Sequence, residues 1–220
     1  MTSMAALVGE RIVETARFTW RAPLFARFRG GLTATVGGAL LLAFATYNPT
    51  DPSWNTVSDH APTNLLGGFG ATFADLSLQS LGLAAWAGAI LMVVFGLWRA
   101  ADADPDLSRT GMRLKALACI AGVLMLAAVL AAPAPPKAWP LARGLGGFWG
   151  SGVLDLLAGF LNFLHAPAAV PIAASVWGLL ALGALGWGLG VRPSEFRALG
   201  PWLADLVRRK PAAEIGRAHV

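Results

Sequence analysis

Three lysines, three histidines, one cysteine and twelve acidic residues are the side chains from which phosphate, metal or acid–base chemistry could be built in this 220-residue chain. A P-loop needs Gly-x-x-x-x-Gly-Lys-Ser/Thr, because backbone amides cradle the phosphates while the lysine reaches the outer phosphoryl group. Lys115, Lys137 and Lys210 follow Leu114, Pro136 and Arg209, never a glycine, so no such loop is present. His60, His165 and His219 stand far apart, with no cysteine or acid at metal-ligand spacing, so no metal site is expected. Nor is there a paired acid/base or nucleophile constellation, and no catalytic or cofactor-binding residue is assigned. Cys119 is alone, cannot close an intrachain disulfide, and falls in an apolar run where it reads as a small core residue.

The polar residues that do gather form the string Tyr47-Asn48-Pro49-Thr50-Asp51-Pro52-Ser53-Trp54-Asn55. Pro49 and Pro52 fix φ, and Asn48 and Asp51 can bond nearby backbone, so a compact loop is expected. Two roles fit it equally. The prolines and Asp51 could shape a cap on the structure beneath, or the loop could dock a partner, since loops on rigid scaffolds carry binding residues. Tyr47 and Trp54 flank it as aromatics do at headgroup level.

The elements that must position this loop are set by composition. The chain is 56% hydrophobic and 13% charged, with a mean hydropathy of +0.60, outside the ordinary range of a soluble domain. Four apolar stretches, residues 30–46, 81–98, 114–132 and 168–191, approach or exceed the roughly 18 to 20 residues that cross a bilayer. Lys115 lies near the end of the third, where it can snorkel to the headgroups. The basic charge could signal nucleic acid, so its distribution decides. Arg11, Arg17, Arg21, Arg27 and Arg29 precede the first span, and none lies between the first and second. Arg99, Arg109, Arg113 and Lys115 surround the second loop, Lys137 and Arg143 lie in the third, and Arg192, Arg197, Arg208, Arg209, Lys210 and Arg217 follow the last span. This is the positive-inside pattern, and it places both termini and the second loop in the cytoplasm. The Ala43-Phe44-Ala45 triplet has the form of a cleavage site, but the basic region ahead of it is long for a signal peptide, so the first span is expected to stay.

Two shorter segments complete the pattern. In residues 64–80, Leu66, Phe69, Phe73 and Leu76 share one helical face and Thr72, Asp75 and Gln79 another, an amphipathic helix lying on the membrane or folded against the bundle, with Asn64 as its N-cap. Gly67, Gly70 and Asp75 recur as Gly147, Gly150 and Asp155 at a constant offset of 80, and there Leu154, Leu157, Leu161 and Leu164 form the apolar stripe. His165 is expected to end that helix. Each half then reads span, outer amphipathic helix, span, and since both halves start and end inside, the repeat is parallel. The expected fold is an all-α integral membrane domain of four transmembrane helices and two periplasmic-face amphipathic helices, in residues 30–191. Small residues at four-residue spacing (Gly30, Ala34 and Gly38; Ala84 and Gly88; Ala118 and Gly122; Ala174 and Gly178; Gly186 and Gly190) would let the spans approach closely. Residues 1–29 are a basic segment, either a membrane-surface helix broken by Pro23 or a loosely ordered lead-in.

The Tyr47-to-Trp54 string after a first span, followed by Asn64-Leu65-Leu66-Gly67-Gly68-Phe69-Gly70-Ala71, Ala74-Asp75, Gly146-Gly147 and Leu164-His165, resembles the N-terminal membrane domain of the FtsK/SpoIIIE family of bacterial DNA translocases. The resemblance runs over about residues 30–200. It implies a four-helix anchor in the inner membrane, enriched at the division septum, touching other division proteins, and gathered as a hexamer in full-length members. It further implies a linker, begun here at 192–213, and an ATPase motor that would bind ATP and Mg and act on DNA; this segment itself would bind no DNA. Residues 214–220 read as a translated sequencing adapter, GAG ATC GGA AGA GCA CAC GTC, so the frame is expected to be truncated. The competing reading is a small transporter or channel subunit. It is weakened by span interiors that lack Asp, Glu, Lys, Arg and His, residues that ion or proton coupling would place there.

Overall fold

The computed structural model describes Arg11, Glu14 and residues 23–101, 109–141 and 143–191. The basic lead-in ahead of Pro23, the linker from 192 and the segment 214–220 lie outside the described residues. All regular structure among the described residues is helical: α1 (Pro23–Ala45), α2 (Gly67–Leu81), α3 (Ala84–Ala101), α4 (Arg109–Ala131), α5 (Gly147–Phe163) and α6 (Ala169–Gly188). Four of them, α1, α3, α4 and α6, are long and apolar enough to cross a membrane. Only 17–28% of each apolar window is buried within the protein, so most of the surface of these helices is left for lipid.

Helix α1 starts at Pro23, ahead of the Gly30 that hydropathy alone marks. Proline suits a first turn, where its fixed φ is helical and its missing N–H would have no partner anyway. Pro23 therefore opens this helix; whether it also breaks one in the basic segment ahead lies outside the described residues.

The long helices pair within each half. Helix α1 runs antiparallel to α3, with Gly30 against Ala100 and Gly96, Gly37 against Ala89 and Val93, and Phe44 edge-on to Trp86 at 5.5 Å. A Cβ on Gly30 would lie 2.7 Å from the Gly96 carbonyl oxygen, so the absent side chain is what lets the backbones meet. Helices α4 and α6 repeat this with Gly122 against Leu185 and Gly188 against Cys119. The small-residue spacing read from sequence slips in two places. Gly37, not Gly38, faces the partner helix, and Gly188, not Gly186, does so in α6; Gly38 and Gly186 look onto open space. Contacts two turns apart fall seven residues apart, from Gly30 to Gly37, and a strict four-residue step drifts off that seam.

The short helices join the halves. Helix α2 packs on α1, α3 and α5, and α5 packs on α4 and α6. Thus α2 is folded against the bundle. Both short helices open on a glycine with positive φ, Gly67 at +64° and Gly147 at +67°. At the α2–α3 turn Gly82 has φ +58°, and any Cβ there would strike the Leu145 carbonyl and the Gly147 nitrogen. The Leu83 N–H donates to the Leu145 carbonyl at 2.8 Å, tying the turn of one half to the loop of the other. Gly146 and Gly150 seat α5 on the backbone of Ala127.

Helix α5 stops at Phe163, and His165 follows it with φ +57°. Its N–H bonds the Asn162 carbonyl and the next N–H, of Ala166, bonds Leu161, the pair of bonds that closes a helix on a left-handed residue. Gly190 ends α6 the same way, bonding Trp187, with Val191 bonding Gly186.

Candidate functional site

The polar loop is organised around two buried carboxylates, Asp51 at 3% exposure and Asp75 at 4%. Asp51 follows a turn closed by its own N–H onto the Asn48 carbonyl, and Asn48 in turn accepts from the Thr50 backbone and hydroxyl. That turn aims the Asp51 carboxylate inward. One oxygen accepts from the Thr63 N–H at 2.9 Å and the Thr63 hydroxyl at 2.8 Å, and the other from the Asn64 N–H at 2.9 Å. The ends of a loop a dozen residues long are thereby pinned together by donors from Thr63 and Asn64, with a smaller electrostatic contribution from His60.

Asn64 carries the pin into the membrane helix. Its side-chain amide donates to the carbonyls of Ala43 at 2.8 Å and Thr46 at 3.1 Å, backbone groups left without intrahelical partners at the end of α1. Asn64 is therefore not the N-cap of α2, whose cap position is Leu66 with no side-chain bond. Its oxygen accepts from the Leu66 N–H and its carbonyl from the Gly67 N–H, so it closes the turn before α2 while capping the C-terminus of α1. Gly70 belongs to the same unit, because a Cβ there would collide with the Asn64 side chain.

Asp75 comes from α2. Oδ1 accepts from the Tyr47 hydroxyl at 3.0 Å and Gln79 Nε2 at 2.8 Å, and Oδ2 from the Ser53 hydroxyl at 2.7 Å and Asn55 Nδ2 at 3.1 Å. Ser53 Oγ also accepts the Asn55 and Thr56 N–H groups. The polar face of α2 thus points into the loop, and the apolar face points away, with Phe69 and Phe73 exposed. Below the loop, Ala43, Phe44, Ala74, Leu78, Ala85, Ala89 and Leu141 form the core, with Tyr47, Trp86 and Trp139 against it.

For both aspartates burial pushes the pKa up, and the donated hydrogen bonds, from Thr63 and Asn64 on Asp51 and from Ser53, Gln79, Asn55 and Tyr47 on Asp75, outweigh it and leave the pKa below the ordinary value of 3.8. Burial first, then the neighbouring Asp75, pushes the Tyr47 hydroxyl up, so it remains a donor across the neutral range. A folded-state pKa below the unfolded one adds stability above the unfolded value, and that stability is lost as pH falls through the folded value. The loop is expected to be insensitive to pH from neutrality to about pH 4 and to open only below it. Hydrogen exchange at the Thr63 and Asn64 amides checks this; protection lost between pH 7 and 5 would contradict it.

Of the sequence-derived residues, the loop unites Tyr47, Asn48, Asp51, Ser53, Gly70 and Asp75. It does not draw in Trp54, 82% exposed, which stands out beside Val57. Pro49 is exposed and Pro52 half-buried, shaping the chain without polar contacts. Gly67 turns the chain into α2. Gly147, Gly150 and Asp155 lie in α5, and Asp155 is exposed, so the two aspartates of the repeat motif do not share an environment. Sequence reasoning missed Thr63, and it did not foresee Asn55, Asn64 and Gln79 as partners in the network. Asn64 and Gln79 are polar positions in or beside an apolar helix, whereas Asn55 and Thr63 stand in a segment already rich in polar residues, where nothing singles them out. No group of three or more metal-ligating side chains occurs among the described residues.

Residues 25–192 match the family described as the 4TM region of DNA translocase FtsK/SpoIIIE. The chain is 51% identical over 183 residues to a DNA translocase FtsK of Caulobacter vibrioides, covering 83% of this chain and 22% of that protein. It is 36% identical over 171 residues to the DNA translocase FtsK of Mesorhizobium japonicum, 72% of this chain and 19% of the relative. A third, from Azospirillum brasilense, is 33% identical over 206 residues, 91% of this chain and 32% of the relative. The chain thus spans between about a fifth and a third of the length of these relatives. No solved structure matches it. Four helices able to span a membrane, a loop knotted on Asp51 and Asp75, and a family match across all six helices lead to one conclusion: the chain belongs to the 4TM family of FtsK/SpoIIIE DNA translocases, as their multi-pass inner-membrane domain.

Proposed function

We propose that this domain works by positioning: it holds a DNA translocase in the inner membrane at the division septum, during cell division and chromosome segregation, and has no enzymatic activity of its own. The match of residues 25–192 to the 4TM region carries this reading. Both termini and the loop between α3 and α4 face the cytoplasm, as the Lys and Arg distribution requires, and the 47–66 loop, α2 and α5 lie on the periplasmic side. The halves α1–α3 and α4–α6 form a parallel repeat, supported by Gly67 and Gly147 both opening short helices with positive φ. Linker and motor, with their ATP, Mg and DNA, belong to the full-length protein, whose ring gathers six anchors. The anchor itself binds no DNA.

In this reading the two roles open for the loop divide by residue. Asp51 and Asp75 are buried and spend their acceptor capacity on the protein, which suits a cap. Trp54 and Val57 are held outward by that cap and are the residues available to another division protein. A transport reading has less behind it, since the span interiors lack Asp, Glu, Lys, Arg and His. Reporter fusions after Thr56 and Asp104 test the topology. They are expected to report periplasm and cytoplasm respectively, and the same compartment for both would overturn it.

A further inference from the structure

The two halves meet tightly at the Gly82–Gly147 joint, yet between α3 and α4 they leave a cavity of about 770 Å³. Its walls include Gly88, Met92 and Phe95 of α3 and Ala116, Ile120 and Val123 of α4, with Trp149 of α5 at the end near the joint. These residues recur every three to four positions, so each wall is one stripe of one helix. Continued away from the joint, the α3 stripe reaches Trp98 and Arg99, and the α4 stripe, read back toward its start, reaches Met112 and Arg113. Lys115 sits at the same end, its ammonium 5.9 Å from the Trp98 ring. The cavity lining is mainly apolar, with Thr33, Ser77 and Ser80 adding hydroxyls, and the two stripes that wall it lead on, beyond the lining itself, to cationic residues at one end.

That combination has one matching occupant in a membrane. An apolar cavity at hydrocarbon depth is filled by acyl chains, because water there would find almost no polar partners. Two arginines one helical turn past its walls, with a lysine beside an indole at the same end, would select a phosphate-bearing anionic headgroup over a zwitterionic one. We propose that the cleft between α3 and α4 is a binding site for one anionic glycerophospholipid, its acyl chains along Phe95 and Ile120 and its phosphate at Arg99, Arg113 and Lys115. This rests on the membrane placement of α3 and α4 given above, and in that placement the lipid comes from the cytoplasmic leaflet.

Native mass spectrometry of the full chain, delipidated in detergent and supplied with 1-palmitoyl-2-oleoyl phosphatidylglycerol or the matching phosphatidylcholine, tests it. One phosphatidylglycerol is expected to be retained in preference to phosphatidylcholine, and Arg99→Gln with Arg113→Gln should reduce that preference roughly fivefold per arginine. Gly88→Leu, at a position where a new Cβ meets nothing closer than Val123 at 3.8 Å, should fill the cleft and lower retention of both lipids alike. Equal retention of the two lipids by the unaltered chain would overturn the proposal even if a variant failed to fold, and so would full retention of phosphatidylglycerol by a folded Gly88→Leu variant. Reporter fusions at Thr56 and Asp104 are unaffected by this outcome, so failure of the lipid site and failure of the topology are told apart.

Discussion

Asp51→Ala is expected to cost about 3 kcal/mol, because hydrogen bonds to a charged acceptor are worth roughly 1.5–3 kcal/mol and a buried donor left without one adds its desolvation. The Thr63 groups lie near the surface and can turn to water, but the Asn64 N–H is buried and cannot. The damage spreads through Asn64, since the same side chain that follows this N–H holds the Ala43 and Thr46 carbonyls. Asp51→Asn should lose less, because its amide keeps one acceptor but turns an NH2 toward the second set of donors. For a chain of this size the alanine variant should melt on the order of 10 °C lower. Trp54→Ala removes an exposed side chain and should stay within about 0.5 kcal/mol of the parent. Thermal unfolding of the three variants in detergent checks this, and equal melting of Asp51→Ala and Trp54→Ala would contradict the cap.

The second large effect is expected at Gly82. Its φ of +58° with ψ of −138° is a conformation that side chains disfavour by about 1–3 kcal/mol. An alanine Cβ would also meet backbone, the Leu145 carbonyl and Gly147 nitrogen, which cannot rotate aside as a side chain could. Gly82→Ala should therefore part the halves, break the Leu83–Leu145 hydrogen bond and sharply reduce membrane accumulation. Gly68→Ala provides the contrast. Gly68 lies in the first turn of α2 with nothing near its absent Cβ, and alanine is the better helix former by roughly 0.5–1 kcal/mol. Membrane levels of the two variants, read side by side, should fall for Gly82→Ala and hold for Gly68→Ala.

These two positions also mark what could and could not be read from sequence. The spans were legible, because crossing a bilayer demands long runs with few charges and nothing else in the chain competes for that signal. The loop was legible as a turn from its prolines, Asn48 and Asp51. What escaped was direction. The face of Thr72, Asp75 and Gln79 marked an amphipathic helix but left open whether it lies on the membrane or folds against the bundle; it folds against the bundle with Phe69 and Phe73 outward, and Asp75 faces Tyr47 and Ser53. Asn64 precedes a helix and reads as its N-cap, yet the unpaired carbonyls of the preceding helix claim its amide. Long-range partners of this kind leave no mark at fixed spacing. The glycine seams failed more narrowly, because Gly37 and Gly38 stand side by side and only the packed helix distinguishes them.

The anchoring role itself is tested most directly by where the protein goes. A fluorescent fusion of this chain, expressed in dividing cells at a level matched to Trp54→Ala, should concentrate at midcell for the parent and spread around the envelope for the variant, with equal membrane levels of both. A parent fusion distributed evenly around the envelope would contradict the account.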